Sequence, residues 1–142
     1  MFSPFLLTRH YKLTRRVFLC AVAALTVSFA GGSPANAQES VSLEFARIEH
    51  EAGRAVLIDI REPVEHATGV AKNALLLPMR QMSTRQSEVP IDPSTPVLLI
   101  CNTQNRSSAT SVALKKAGYS NVKFVQGGMR EWNLRGWPTV RP

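Results

Sequence analysis

Cysteine is scarce in this chain of 142 residues: only Cys20 and Cys101 are present. Two thiols cannot staple a fold together, so a disulfide scaffold is excluded. Histidine is almost as rare, with three residues, and no His-Cys-Asp/Glu spacing suggests a metal site. A glycine-rich phosphate-binding motif is also missing, as is any dominant low-complexity block. Acidic residues are absent from residues 1–37, which hold Arg9, Lys12, Arg15 and Arg16. That stretch therefore carries +4 of the formal net charge of +7. The remainder sets 13 Lys+Arg against 10 Asp+Glu, and +3 spread over a domain makes no electrostatic case for nucleic-acid binding. What is present is ordinary for a globular chain. Apolar residues reach 44% and charged residues 19%, which excludes a wholly disordered or fibrous protein, and the length suits one domain.

The first 37 residues fall into three parts. A basic stretch runs to Arg16, an apolar run follows over Val17–Ala30, and Ala35-Asn36-Ala37 closes the segment. A basic start, a short apolar middle and an A-x-A site are the parts of a secretory signal peptide. The apolar run has 14 residues, short of the roughly 20 that a bilayer requires, so no stable membrane anchor is expected after cleavage. Thr14-Arg15-Arg16-Val17-Phe18-Leu19 resembles the twin-arginine export signal, placed directly before the apolar run. The resemblance implies a bacterial protein exported already folded, hence a periplasmic one. Residues 1–37 are thus expected to be a cleaved signal peptide and 38–142 the mature domain, in which Cys101 is the single thiol.

Within the mature domain, Gln38–Ser40 reads as a frayed start. Ser42 is placed to cap a helix whose apolar face would be Phe45, Ile48 and Ala52, with Gly53 as its stop. Four short apolar runs follow: Ala55–Ile60, Ala74–Leu77, Val97–Ile100 and Val122–Val125. They are apolar throughout instead of alternating, the pattern of strands covered on both faces. Between the last two lies a helical stretch, Ser107–Ala117, with Ala109, Val112, Ala113 and Lys116 on one side and Gly118 after it. Strands alternating with helices indicate an α/β domain with a parallel sheet, whose ligand site lies at the carboxyl ends of the strands. Cys101 stands at such an end.

The segment Cys101-Asn102-Thr103-Gln104-Asn105-Arg106-Ser107 passes from strand to helix in few residues. Amides in such a turn converge, and the first helical turn leaves its own N–H groups unpaired, so the loop is a candidate nest for an anion. Cys101 would lie at its rim, with Arg106 adding a fixed positive charge. Helix N-termini and nearby cations favour the thiolate, the form that acts as nucleophile.

At these residues the chain resembles the rhodanese-like sulfurtransferases. The likeness runs from about Val41 to Pro138 and rests on Val56–Pro63 with Glu65, on Cys101-x4-Arg106-Ser107 and on Ala117-Gly118-Tyr119. It continues through Gly127-Gly128-Met129, Trp132 and Gly136-Trp137-Pro138. The resemblance implies a rhodanese-like fold, a five-stranded parallel sheet with helices on both faces. It implies further that Cys101 takes a sulfane sulfur from a small sulfur-containing anion and passes it, as a persulfide, to cyanide or a thiol, a protein thiol included. Arg106 and the loop residues Asn102, Thr103, Gln104, Asn105 and Ser107 would hold donor and persulfide, with no cofactor and no metal. Relatives acting on phosphate or arsenate have one more residue in this loop, so Cys-x4-Arg favours sulfur.

Two departures from the family pattern stand out. Gln104 replaces the glycine of Cys-x-x-Gly-x-Arg, so it must either adopt positive φ, at about 1–2 kcal/mol, or shape the loop differently. Gly69-Val70-Ala71-Lys72-Asn73-Ala74 stands where many members have Gly-His-Ile-x-Gly-Ala, a change expected to touch packing and the substrate rim. Asp59 and Arg61 end a strand beside the site and read as a bracing ion pair or as direct substrate contacts. His50 and His66 are expected on the surface, and Trp132 and Trp137 in packing. The missing loop glycine keeps a second reading open: a non-catalytic module that binds or carries a sulfur species, an anion or a protein partner.

Overall fold

The computed structural model describes residues 39–142; the signal-peptide reading falls on residues outside them. Five strands and five α-helices follow in order among the described residues. They are β1 (Ser40–Val41), α1 (Leu43–Glu51), β2 (Val56–Asp59), α2 (Pro63–His66), β3 (Leu75–Leu76), α3 (Met82–Arg85), β4 (Val97–Ile100), α4 (Asn105–Lys116), β5 (Val122–Val125) and α5 (Gly128–Leu134). The five strands form one sheet in the order β1-β5-β4-β2-β3, and every pair is parallel.

Both faces of the sheet are covered, which is why its central strands read as mainly apolar runs, with the exposed Lys123 of β5 as an exception to that expectation. Successive side chains point to opposite faces. Ile58, Val97, Leu99 and Val122 therefore join Met82 of α3 and Leu114 of α4 in one core. Leu57, Leu98, Ile100 and Val125 meet Leu43 and Ala46 of α1 and Met129 and Trp132 of α5 in the other. Trp132 packs edge-on against Trp137, ring centroids 5.1 Å apart, and its Nε1–H donates to the Pro138 carbonyl. The tail then returns to the body through reciprocal hydrogen bonds between Val70 and Val140, both 2.9 Å.

Four expectations from the sequence require correction. The start expected to be frayed runs instead into β1, whose Ser40 pairs opposite Phe124 of β5. Helix α1 is capped by the Ser42 side chain as expected, yet it buries Leu43 and Ala46; Phe45 is 50% exposed and Ile48 59%. Helix α4 buries Ser107, Thr110, Ser111 and Leu114, while Val112 faces outward. His66 is only 4% exposed, with Nε2 3.5 Å from Asp59 Oδ1. The Gly69–Ala74 departure does touch packing, since Val70 and Ala71 are buried. Asn73, at the family's glycine place, has φ 62°, and asparagine is among the few L-residues that tolerate the left-handed region. Among the described residues no helix is long and apolar enough to cross a membrane.

Candidate active site

Strand β4 delivers Cys101 to the carboxyl end of the sheet, beside the end of β2, where Asp59 pairs in register with Ile100. The chain then turns through Asn102, Thr103 and Gln104 into α4. The first bond of that helix runs from Ser108 N–H to the Gln104 carbonyl at 2.8 Å. The amides of Asn105, Arg106 and Ser107 precede the helical ladder.

The orientation of the turn is set from behind by α5. Met129 N–H donates to the Cys101 carbonyl and Arg130 N–H to the Asn102 carbonyl, both at 2.8 Å. In a trans peptide the N–H points opposite to the C=O, so the amides of Asn102 and Thr103 face away from α5. This contact requires Gly128. Its φ is +64°, and a Cβ there would lie 2.3 Å from the Thr103 oxygen and 2.5 Å from the Cys101 oxygen. The Gly127-Gly128 pair thus does more than end a strand: it lets the helix press directly on the loop backbone.

Cys101 does not sit at a rim. It is 1% exposed and belongs to the core that includes Ile58, Ile60 and Leu99. Its Sγ lies 3.5 Å from the hydroxyl of Ser107, itself buried, and that hydroxyl also bonds the Gln104 carbonyl at 3.1 Å. A serine hydroxyl rotates to suit its partners, so Ser107 can accept from a thiol or donate to a thiolate. Gln104 resolves its own alternative. Its φ of −163° is extended backbone that carries no strain, so the loop is shaped differently. Its side chain leans toward α5, where Oε1 accepts the Gly127 N–H at 3.3 Å. Asn102, Gln104 and Asn105 are exposed and Thr103 half-buried.

Arg106 is already engaged. Nη1 and Nη2 donate to the two oxygens of Glu65 at 2.7 and 2.6 Å, a bidentate pair across 41 residues of sequence. Glu65 is fixed in turn, because Oε2 accepts the Glu62 N–H at 2.9 Å in the capping box of α2. The Arg106 guanidinium, helped by the Glu62 amide, holds the Glu65 carboxyl down from its ordinary 4.5 to about 2 against the opposing effect of burial. Arg106 is shifted up, mainly by the Glu65 carboxylate, with smaller contributions from Cys101 and Glu62.

Beneath this pair lies a second one. Arg61 donates from Nε and Nη2 to the Asp59 carboxylate at 2.7–3.0 Å, with both side chains buried. It also donates to the carbonyls of Gly69 at 2.7 Å and Glu65 at 3.4 Å. The strand end is thereby tied to the backbone of α2, and through Glu65 to Arg106. Glu65 was absent from the candidate residues. The Glu62-Pro63-x-Glu65 pattern signals a helix start, but nothing in the spacing announces its partner.

A polar cavity of about 450 Å³ opens beside the loop, lined by Gln104, Asn105, Ser108, Phe124 and Gln126 among others. Met79 and Met82 line a separate, mainly apolar groove of about 420 Å³ along α4. Among the described residues no three His, Cys, Asp or Glu side chains converge to hold a metal ion.

Comparison with known proteins agrees with this architecture. Residues 43–135 match the model of the rhodanese-like domain family. A protein named sulfurtransferase from Allochromatium vinosum is 36% identical over 104 residues, covering 73% of this chain and 92% of its own length. An uncharacterised protein of Bacillus subtilis, YqhL, is 32% identical, covering 67% of this chain and 75% of its own. The crystal structure of a rhodanese-related protein from Thermoplasma volcanium superposes with a TM-score of 0.61 at 25% identity, covering 73% of this chain and 99% of that one.

Proposed function

The chain belongs to the rhodanese-like domain family, and from that premise we propose that it is a sulfurtransferase working through a persulfide on Cys101. The observation that carries the reading is the setting of Cys101, on the loop whose carbonyls α5 ties back while its amides face the other way. Preorganised donors of this kind stabilise a sulfur anion as it forms, without reorganising at the moment of transfer. The thiolate attacks the outer sulfur of a sulfane donor, the donor's S–S bond breaks with its electron pair leaving on the remainder, and a thiol or cyanide later removes the sulfur. Asp59 and Arg61 act as the brace beneath the site, since both are buried and spend their bonds on each other and on backbone. Intact mass measured after incubation with a sulfane donor tests the reading: Cys101 gains the mass of one sulfur atom and loses it on addition of cyanide. A mass that never changes would leave the second reading, a module that binds through the same loop. The burial of Cys101 and the engagement of Arg106 are what favour that alternative.

Export is part of the same proposal. Cleavage after Ala37 starts the mature chain at Gln38, two residues before β1, and leaves the five-stranded sheet whole. It removes Cys20, so Cys101 works in the periplasm with no internal thiol to pair with. Replacing Arg15 and Arg16 by Lys is expected to hold the precursor inside the cell, as fractionation and immunoblotting would show. Unchanged periplasmic levels would argue against the twin-arginine route.

A further inference from the structure

Thiosulfate, the simplest sulfane donor, is a dianion, and the charge it would meet here is not that of a free arginine. Both terminal nitrogens of Arg106 donate to the carboxylate of Glu65, which sets a negative charge directly against the guanidinium. Glu65 cannot step aside easily: it caps its own helix, and the backbone of that helix is gripped by Arg61. The pair is therefore close to neutral as a unit. A dianion arriving at Arg106 must either displace the carboxylate, leaving Glu65 without its counter-ion, or bind next to it and feel its repulsion. A hydropersulfide R–S–SH carries at most one negative charge at its reacting end and has no sulfonate to place.

We infer that Glu65 is a specificity-determining residue that selects the sulfur donor by charge, favouring an organic hydropersulfide over thiosulfate. The inference rests on the sulfurtransferase reading and narrows it to a donor class. In the step it favours, the Cys101 thiolate attacks the outer sulfur of R–S–SH and a new Sγ–S bond forms. The inner S–S bond breaks, and its electron pair leaves with R–S⁻. The proton remains on the transferred sulfur, giving Cys101–S–SH. No external oxidant or reductant enters, because one thiolate and one persulfide exchange places.

Glu65→Gln removes the charge while keeping the shape and one acceptor for Arg106. The test follows the growth of the Cys101 persulfide by mass, with thiosulfate and with a small alkyl hydropersulfide that carries no other charged group, in wild type and variant. Wild type is expected to react faster with the hydropersulfide. The variant should gain roughly tenfold or more with thiosulfate and change less than about threefold with the hydropersulfide. The gain should shrink as salt is raised, because Glu65 and Arg106 are each about 30% exposed and open to screening. A ratio of the two rates that Glu65→Gln leaves unaltered would overturn the inference and leave the sulfurtransferase reading standing. No sulfur uptake from either donor in either protein would overturn both. Should the variant fail to fold, wild type alone decides. Its thiosulfate rate must then climb with sodium chloride more steeply than its hydropersulfide rate, and equal slopes would refute selection by charge.

Discussion

Cys101→Ser is expected to leave a folded domain that takes up no sulfur at all. No other cysteine follows residue 37, so no neighbouring thiol can substitute in the proposed mature chain. A serine hydroxyl stays protonated at any pH the domain survives and does not form a stable bond to sulfane sulfur. The effect on folding should be small by comparison. The side chains differ little in volume, and the new hydroxyl would face Ser107 Oγ, now 3.5 Å from Sγ, so it need not be buried without a partner. A loss of about 1 kcal/mol covers the exchange of a buried sulfur for a hydrogen-bonded oxygen. The measurement is persulfide mass and sulfur transfer to cyanide, alongside thermal denaturation. Transfer at the wild-type rate by a folded Cys101→Ser protein would show that another group carries the sulfur. Cys101→Ala, which adds no polar atom to the core, separates loss of chemistry from loss of packing should the serine variant melt early.

Arg61→Ala should be the most damaging single change to stability. Asp59 is wholly buried, and its carboxylate accepts from the Arg61 side chain and backbone amide. Removing the guanidinium leaves that charge in the interior without its counter-ion, a defect that typically costs about 3–5 kcal/mol. The Gly69 carbonyl loses its donor as well. For a domain of this size such a loss corresponds to a fall of roughly 12 °C or more in Tm. The double variant Asp59→Asn/Arg61→Leu should be less harmed than Arg61→Ala, because no unpaired charge remains. A single variant within about 1 kcal/mol of wild type would mean that the pair is reached by water and braces nothing.

The strands were legible because a sheet covered on both faces leaves no polar register. β2, β4 and β5 announce themselves as mainly apolar runs, broken only by Asp59 and the exposed Lys123, and each proves to divide its side chains between two cores. β1 was not, since two residues carry no pattern and its partner lies at the far end of the chain. The face of α4 was misread for a different reason. The side that lies on the sheet is built from Ser107, Thr110 and Ser111, small residues that allow close approach. The hydroxyls of Ser107 and Ser111 bond carbonyls of their own helix. Hydrophobic periodicity cannot find such a face, and it settles on Val112 instead. At the site, Cys101 and its loop were legible from their place between strand and helix. Their burial was not, nor was the occupation of Arg106, because both depend on α2 and α5 arriving from elsewhere. Gln104 shows the same limit: the absence of glycine was visible, but its resolution through an extended φ and a bond to Gly127 belongs to the third dimension.

The pairing of β1 with β5 also bears on the order in which the molecule assembles. Ser40 faces Phe124, so the sheet's first strand in sequence waits for its last. A ribosome must have released nearly the whole domain before that edge can close, and closing so long a loop carries the largest entropic cost of any pairing in the sheet. The pairings of β2 with β4 and of β4 with β5 close much shorter loops. β1 contributes only two residues, held by bonds from the amides of Phe124 and Gln126 to the carbonyls of Glu39 and Val41. It should be the last piece to dock and the first to lift away, and it is the strand that adjoins the segment proposed as a leader. The domain's slowest seam and its proposed cleavage point therefore fall within a few residues of each other, so that the proposed trimming would take place at the margin of the fold.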